Sequence, residues 1–220
     1  SMTETASGFY QAYRQQINVA VTLVALVLIV AGLYAFIQAG NEAKAGQLMA
    51  AAYDAYAQAG GAGVNYPQAL QRFQEVAKQY GGTVNGAIAE LYIGNTYAAL
   101  GQTEAALKEY EVFVKKHSGK NLLLGIAYQQ MGYAYLAAGR RDEALKAFGK
   151  AEALTGTGAA TIELARLYEQ TGNMQEAMSK YKAISSDIPS TAWASEARTK
   201  VPPPDLGQAK KSEKTEAPSN

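Results

Sequence analysis

Three stretches decide the fold: AIAELYIGNTYAALGQTEAALKEYEVFVKKHS (Ala87–Ser118), GIAYQQMGYAYLAAGRRDEALKAFGKAEAL (Gly125–Leu154) and GAATIELARLYEQTGNMQEAMSKYKAISSDIP (Gly158–Pro189). Aligned on their first residues, they place a small side chain at the eighth position: Gly94, Gly132 and Ala165. A tyrosine comes three residues later (Tyr97, Tyr135, Tyr168) and a glycine four after that (Gly101, Gly139, Gly172). An alanine comes next (Ala106, Ala144, Ala177), then an aromatic ring (Tyr110, Phe148, Tyr181). Two residues three apart share a helix face, so the small residue lets a second helix approach beside the tyrosine. The glycine supplies a left-handed residue that stops the first helix. Thr103, Asp142 and Asn173 are expected to open the second helices, Asn173 with Glu176 as a capping box. Pro189 falls where the third unit should stop.

This register resembles the tetratricopeptide repeat. Two departures stand out. The tryptophan usual at the fourth position is replaced by Glu90, Tyr128 and Thr161, and only Pro189 meets the terminal proline. The first two units start 38 residues apart, against the usual repeat of about 34. A longer connection around Ser118–Leu124 is the expectation. A weaker unit precedes them, with a helix over Asn41–Ala59 carrying Tyr53 and Tyr56, a GGAGVN breaker, and YPQALQRFQEVAKQY. Ala69, Phe73 and Val76 occupy the inner places of that last segment, and Pro67 sits near its start. After Pro189, STAWASEARTK reads as a capping helix with Trp193 on its apolar face.

Upstream of the repeats, Ile17–Ile37 (INVAVTLVALVLIVAGLYAFI) carries no charge over 21 residues. As a helix it spans about 30 Å, the hydrocarbon thickness of a bilayer. Phe9, Tyr10 and Tyr13 before it, with Tyr34 and Phe36 near its far end, suit the two membrane interfaces. A cleaved signal peptide ending near Ala35 or Ala39 is the competing reading. Ala31, Ala35 and Ala39 also make a small-residue stripe. Arg14 and Lys44 nearly balance across the span, with the head expected on the cytoplasmic side. No strong breaker separates the span from Asn41–Ala59, and Gly40 and Gly46 are the weak points if the two form one helix. The organisation is thus a head (1–16), a transmembrane helix (17–37), a repeat domain (41–200) and a disordered, Pro-rich and charged tail (201–220). The fold class is all-α: one transmembrane helix, then a tetratricopeptide helical solenoid.

The chain has no cysteine, one histidine and a formal net charge of +1. Disulfides, thiolate metal sites and a cysteine nucleophile are excluded, and a nucleic-acid partner lacks the basic excess it needs. His117 beside Lys115 and Lys116 reads as a surface cluster at a helix C-terminus. Catalytic, cofactor and metal sites are not expected. The tetratricopeptide resemblance instead implies a protein-binding groove lined by positions two, five, nine and twelve of each first helix. These are Ile88, Leu91, Asn95 and Ala98, then Ile126, Gln129, Tyr133 and Leu136, then Ala159, Ile162, Arg166 and Glu169. Asn95 matches the asparagine of carboxylate-clamp repeats, but Leu91 stands where the accompanying lysine belongs. A mixed groove of this kind suits a helix or an extended protein segment.

The architecture as a whole resembles the YfgM-like family, ancillary subunits of the bacterial SecYEG translocon. That resemblance implies a periplasmic repeat domain on the inner membrane and a membrane-anchored prolyl isomerase chaperone as partner. The alternative is an assembly scaffold of a pilus, secretion or other envelope machine, self-associating through its repeats into a homo-oligomer.

Overall fold

The computed structural model describes residues 2–57, 65–119 and 121–201, with side chains from residue 13 onward and without that of Asn121. The described residues form helices only: α1 (Met2–Ala57), α2 (Tyr66–Tyr80), α3 (Val84–Ala99), α4 (Thr103–Lys116), α5 (Asn121–Ala137), α6 (Arg141–Thr155), α7 (Ala159–Gln170), α8 (Met174–Asp187) and α9 (Ala192–Lys200). They separate into two compact units, residues 1–90 and 91–220. The tail from 202, all of GGAGVN but Asn65, and the side chains of Phe9 and Tyr10 lie outside the described residues.

In the first unit, the apolar run and Asn41–Ala57 are one helix of 56 residues. Its early part is exposed on every side, from Val19 at 55% to Phe36 at 78%. Tyr13–Ala57 is the one described helix long and apolar enough to cross a membrane. Its later part behaves differently. Ala45, Met49, Ala52 and Ala55 are buried, a spacing of three and four that makes one face. α2 packs antiparallel on α1, with Phe73 edge-on to Tyr53 (5.7 Å between centroids) and Tyr66 against Tyr56 (5.5 Å). Asn65 caps α2 by accepting the Gln68 N–H at 3.1 Å, and Pro67 sits in the first turn. Ala69, Phe73 and Val76 are buried, as the pattern predicts.

In the second unit, each first helix ends by the same device. Gly101, Gly139 and Gly172 have φ of 74°, 74° and 80°, left-handed values that cost a residue with a Cβ roughly 1–2 kcal/mol. The N–H after each glycine donates back to the repeat tyrosine's carbonyl: Gln102 to Tyr97 (2.9 Å), Arg140 to Tyr135 (2.8 Å) and Asn173 to Tyr168 (2.8 Å). The glycine N–H bonds the next carbonyl along, at 3.0, 3.0 and 3.2 Å. This is the Schellman motif.

The expected helix starts hold to within one residue, with α4 beginning at Thr103, α6 at Arg141 beside Asp142 and α8 directly after Asn173, but the expected side-chain caps do not form. Gln102, Arg140 and Asn173 take the N-cap positions, and none of them caps through its side chain. Thr103 is already helical, and no Asn173–Glu176 capping box forms: the Asn173 amide donates weakly to Thr171 Oγ1 (3.5 Å). The connection between the repeats that begin at Ala87 and Gly125 is also shorter than expected. α5 starts at Asn121, so most of the extra spacing is an added helical turn, which needs about 3.6 residues. His117 is not on the surface. It is 7% exposed, with its ring 4.4 Å from that of Phe113. Trp193 is 36% exposed, because Ala194 and Ala197 carry the packing of α9.

Among the described residues, apolar clusters join the inner faces of the later helices. Ala144, Phe148, Ala151, Ala160, Leu164 and Leu167 form one, with Tyr128, Tyr135 and Leu136 packed against it. Ile162, Ala165, Ala177, Tyr181, Ile184, Ala194 and Ala197 form another, which joins α7, α8 and α9.

Candidate functional site: the first-helix face

Leu91 and Ile162 are 3% and 1% exposed, so these groove positions contribute to the core. Both are aliphatic, and burial stabilises each by about 1.5–3 kcal/mol relative to exposure. Ile88, Asn95, Gln129, Leu136, Arg166 and Glu169 are half-buried, and Tyr133 is 37% exposed. Asn95 accepts the Tyr110 hydroxyl at 2.7 Å. It therefore fastens first helix to second helix within its own repeat.

Tyr133, on α5, stands edge-on to Phe148 with centroids 5.1 Å apart. Burial, the Glu163 carboxylate and a hydrogen bond to it push the phenol's pKa up, and Arg166 partly opposes them. Arg166, on α7, then reaches α9. Its Nε donates to Glu196 Oε1 at 2.9 Å and its Nη2 to Oε2 at 2.6 Å, a two-toothed pair. Its Nη1 donates to Glu163 at 2.8 Å. One turn along, Glu169 accepts the Tyr181 hydroxyl (2.7 Å) and the Lys200 ammonium (2.6 Å). The hydrogen bond from Arg166 holds the Glu196 carboxyl below its ordinary range, and the bonds from Lys200 and then Tyr181 do the same for Glu169.

The face thus has two regions. At the α7 end, the charges of Arg166 and Glu169 are satisfied within the chain by α9. At the α5 end, Gln129 and Tyr133 present an amide and a phenol beside Leu136. Sequence reasoning could not see that Glu196 and Lys200 would take up Arg166 and Glu169, because the partners lie about 30 residues further on. The second-helix side of α5 carries a separate concavity of about 160 Å³ lined by Tyr128, Met131, Tyr135, Glu143, Lys146 and Lys150. There the Lys150 ammonium lies 5.0 Å from the Tyr128 ring centre and the Arg140 guanidinium 4.7 Å from that of Tyr135. Among the described residues, no group of three or more His, Asp or Glu could hold a metal ion. No buried polar side-chain atom among them lacks a hydrogen-bond partner.

Residues 89–119 and 130–189 match tetratricopeptide-repeat families. No curated protein matches the chain. Among solved structures, a tetratricopeptide repeat protein from Parabacteroides merdae aligns with TM-score 0.57 at 15% identity, over 71% of this chain; the chain spans only 58% of that protein's length. The MamA protein aligns with TM-score 0.51 at 20% identity, over 80% of this chain and 99% of its own. Nearly identical TPR-like repeats assigned to a kinesin light chain of Podosopora anserina align with TM-score 0.55 at 18% identity, over 80% and 89%. These likenesses show the fold. The helical pairs over residues 89–119 and 130–189 are tetratricopeptide repeats, and the chain carries a tetratricopeptide-repeat domain.

Proposed function

We propose that the chain is a membrane-tethered, non-enzymatic scaffold that binds another protein along the exposed part of its first-helix face. One observation carries the reading: α1 is a single helix whose early part exposes a long apolar surface and whose later part is built into the helical packing of the first unit. An apolar surface of that length needs lipid around it. The repeats that α1 leads into belong to a fold whose general use is to bind proteins. Gln129, Tyr133 and Leu136 are the groove positions offered to the partner, with Leu91, Asn95, Ile162, Arg166 and Glu169 shaping or bracing the first-helix face. A phenol and an amide beside a half-buried leucine suit a partner segment of mixed polarity.

In its finer form the proposal sets the body on the periplasmic side of a bacterial inner membrane. The partners are then the SecYEG translocon and a membrane-anchored prolyl isomerase chaperone, as the resemblance to the YfgM-like family implies. Photo-crosslinking in intact cells from positions 129 and 133 tests it. The expected result is a discrete adduct in the membrane fraction containing a translocon or chaperone component. Discrete adducts with other proteins only would reject the finer form, and no adduct from either position would reject this face as the binding surface.

A further inference from the structure

Glu42 lies five residues beyond Ile37 on α1, and backbone N–H groups of the α3 N-terminus take both of its carboxylate oxygens. The Val84 N–H donates to Oε2 at 2.8 Å and the Asn85 N–H to Oε1 at 2.9 Å; the Asn85 amide adds a bond to Oε1 at 2.5 Å. A carboxylate on the first N–H groups of a helix is favoured by charge and by hydrogen bonding together. One turn on, a methyl group at Gly46 would rest 3.5 Å from the Asn85 amide nitrogen, so the helices are in close contact there.

The corner that carries these groups is closed by its own bonds. Tyr80 O accepts the Thr83 N–H (2.8 Å) and hydroxyl (2.7 Å), and Thr83 Oγ1 accepts the Gly86 N–H (2.9 Å). A Cβ at Gly86 would fall 1.9 Å from Tyr80 O, so no other residue fits this turn unshifted. Because α2 runs antiparallel to the later part of α1, its C-terminal end is directed back toward the apolar run.

The helical rise sets the level of this corner. At 1.5 Å per residue, Glu42 stands about 8 Å past Ile37, whereas Asp54 stands about 25 Å past it. The polar layer of one leaflet is roughly 5–8 Å thick. We infer that the α2–α3 corner, Lys78 to Val84, is seated on the phospholipid headgroup layer of the membrane that α1 crosses. Its side chains suit that layer. Val84 is 56% exposed, Tyr80 is half-buried, and Lys78, like Lys44 on α1, is exposed. Tyrosine settles at the interface through its amphipathic ring, and the ammonium groups pair with lipid phosphate. The inference rests on the reading of Ile17–Ile37 as a span.

The natural chain has no cysteine, so single cysteines report unambiguously. Full-length Val27→Cys, Val84→Cys and Asp54→Cys, each carrying an environment-sensitive fluorophore, are reconstituted into phosphatidylcholine–phosphatidylglycerol vesicles. Nitroxide lipids labelled in the acyl chain or at the headgroup then quench by depth. The expected pattern is acyl-chain quenching at 27, headgroup quenching at 84, and neither at 54. Quenching at 84 no greater than at 54, with 27 quenched, overturns the seating while leaving the span intact. An unquenched 27 overturns the span and the seating with it. Glu42→Ala in the Val84→Cys chain should lower quenching at 84, and unchanged quenching overturns Glu42 as the clamp.

Discussion

The ring of Tyr110 covers Gly94 so closely that a methyl group on the glycine would sit 2.4 Å from Cε1. The second repeat repeats the contact, with Phe148 Cε1 2.6 Å from a methyl at Gly132. In the third, Ala165 packs in the same cluster as Tyr181, so that helix pair has accommodated the methyl. Both rings are fully buried and cannot swing away. Gly94→Ala and Gly132→Ala should therefore each destabilise the body by about 1–3 kcal/mol through overpacking, despite alanine's better helix propensity. Urea unfolding of the full chain in detergent micelles measures this. A stabilised Gly94→Ala would show that the helices separate at no cost.

The turn glycines make a different prediction, because nothing lies within 4 Å of a Cβ at Gly101, Gly139 or Gly172. Space is available and only the backbone objects. Alanine at any of them should cost about 1–2 kcal/mol from the positive φ alone. For a chain of this size each kcal/mol lowers the melting temperature by roughly 2–4 °C. Asparagine tolerates the left-handed region better, so Gly139→Asn should melt above Gly139→Ala. The reverse order in a thermal scan would refute a backbone origin.

α9 should loosen in acid. The Glu196 and Glu169 carboxyls are held below their ordinary value of 4.5 by Arg166 and by Lys200 with Tyr181. A depressed folded-state pKa stabilises above the unfolded value and is lost as pH falls through the folded one. Docking of α9 should thus be intact above about pH 5 and weaken progressively below pH 4.5. Glu196→Gln should abolish much of that acid sensitivity and cost about 1 kcal/mol or less at neutral pH, since the pair is half-exposed. Hydrogen exchange over Ala192–Lys200 as a function of pH reads both effects.

How much of this was legible depended on the distance between the residues involved. The small-x-x-Tyr, Gly, Ala and aromatic register is local and repeated, so helix pairs, turns and inner faces could be read from it. The capping assignment failed because Schellman closure makes Gln102, Arg140 and Asn173 both the end of one helix and the start of the next. A search for polar openers finds where each second helix starts, but not that backbone bonds rather than side chains close the junction there. On the groove, Leu91 and Ile162 carry the repeat's positions but are aliphatic, and burial took them inward. The Arg166–Glu196 and Glu42–Val84 contacts join residues 30 and 42 positions apart. No periodicity encodes such pairs.

The junction after the span is the last quantity open to direct test. Glycine inside a helix costs about 0.8–1 kcal/mol relative to alanine, and Gly40 lies between the apolar run and the Glu42 clamp with nothing within 4 Å of a Cβ. Gly40→Ala should therefore fit without contact and stiffen the junction. Amide exchange across Gln38–Gly46 in micelles should be slow in the natural chain and roughly fivefold slower in the variant, the factor that about 1 kcal/mol gives. Gly40→Pro should raise exchange there by breaking the helix, while the α1–α2 contacts of Tyr53, Tyr56 and Phe73 stay intact. Fast exchange in the natural chain, unaltered by either substitution, would mean that the body hangs on a loose tether and that α1 does not set its height above the membrane.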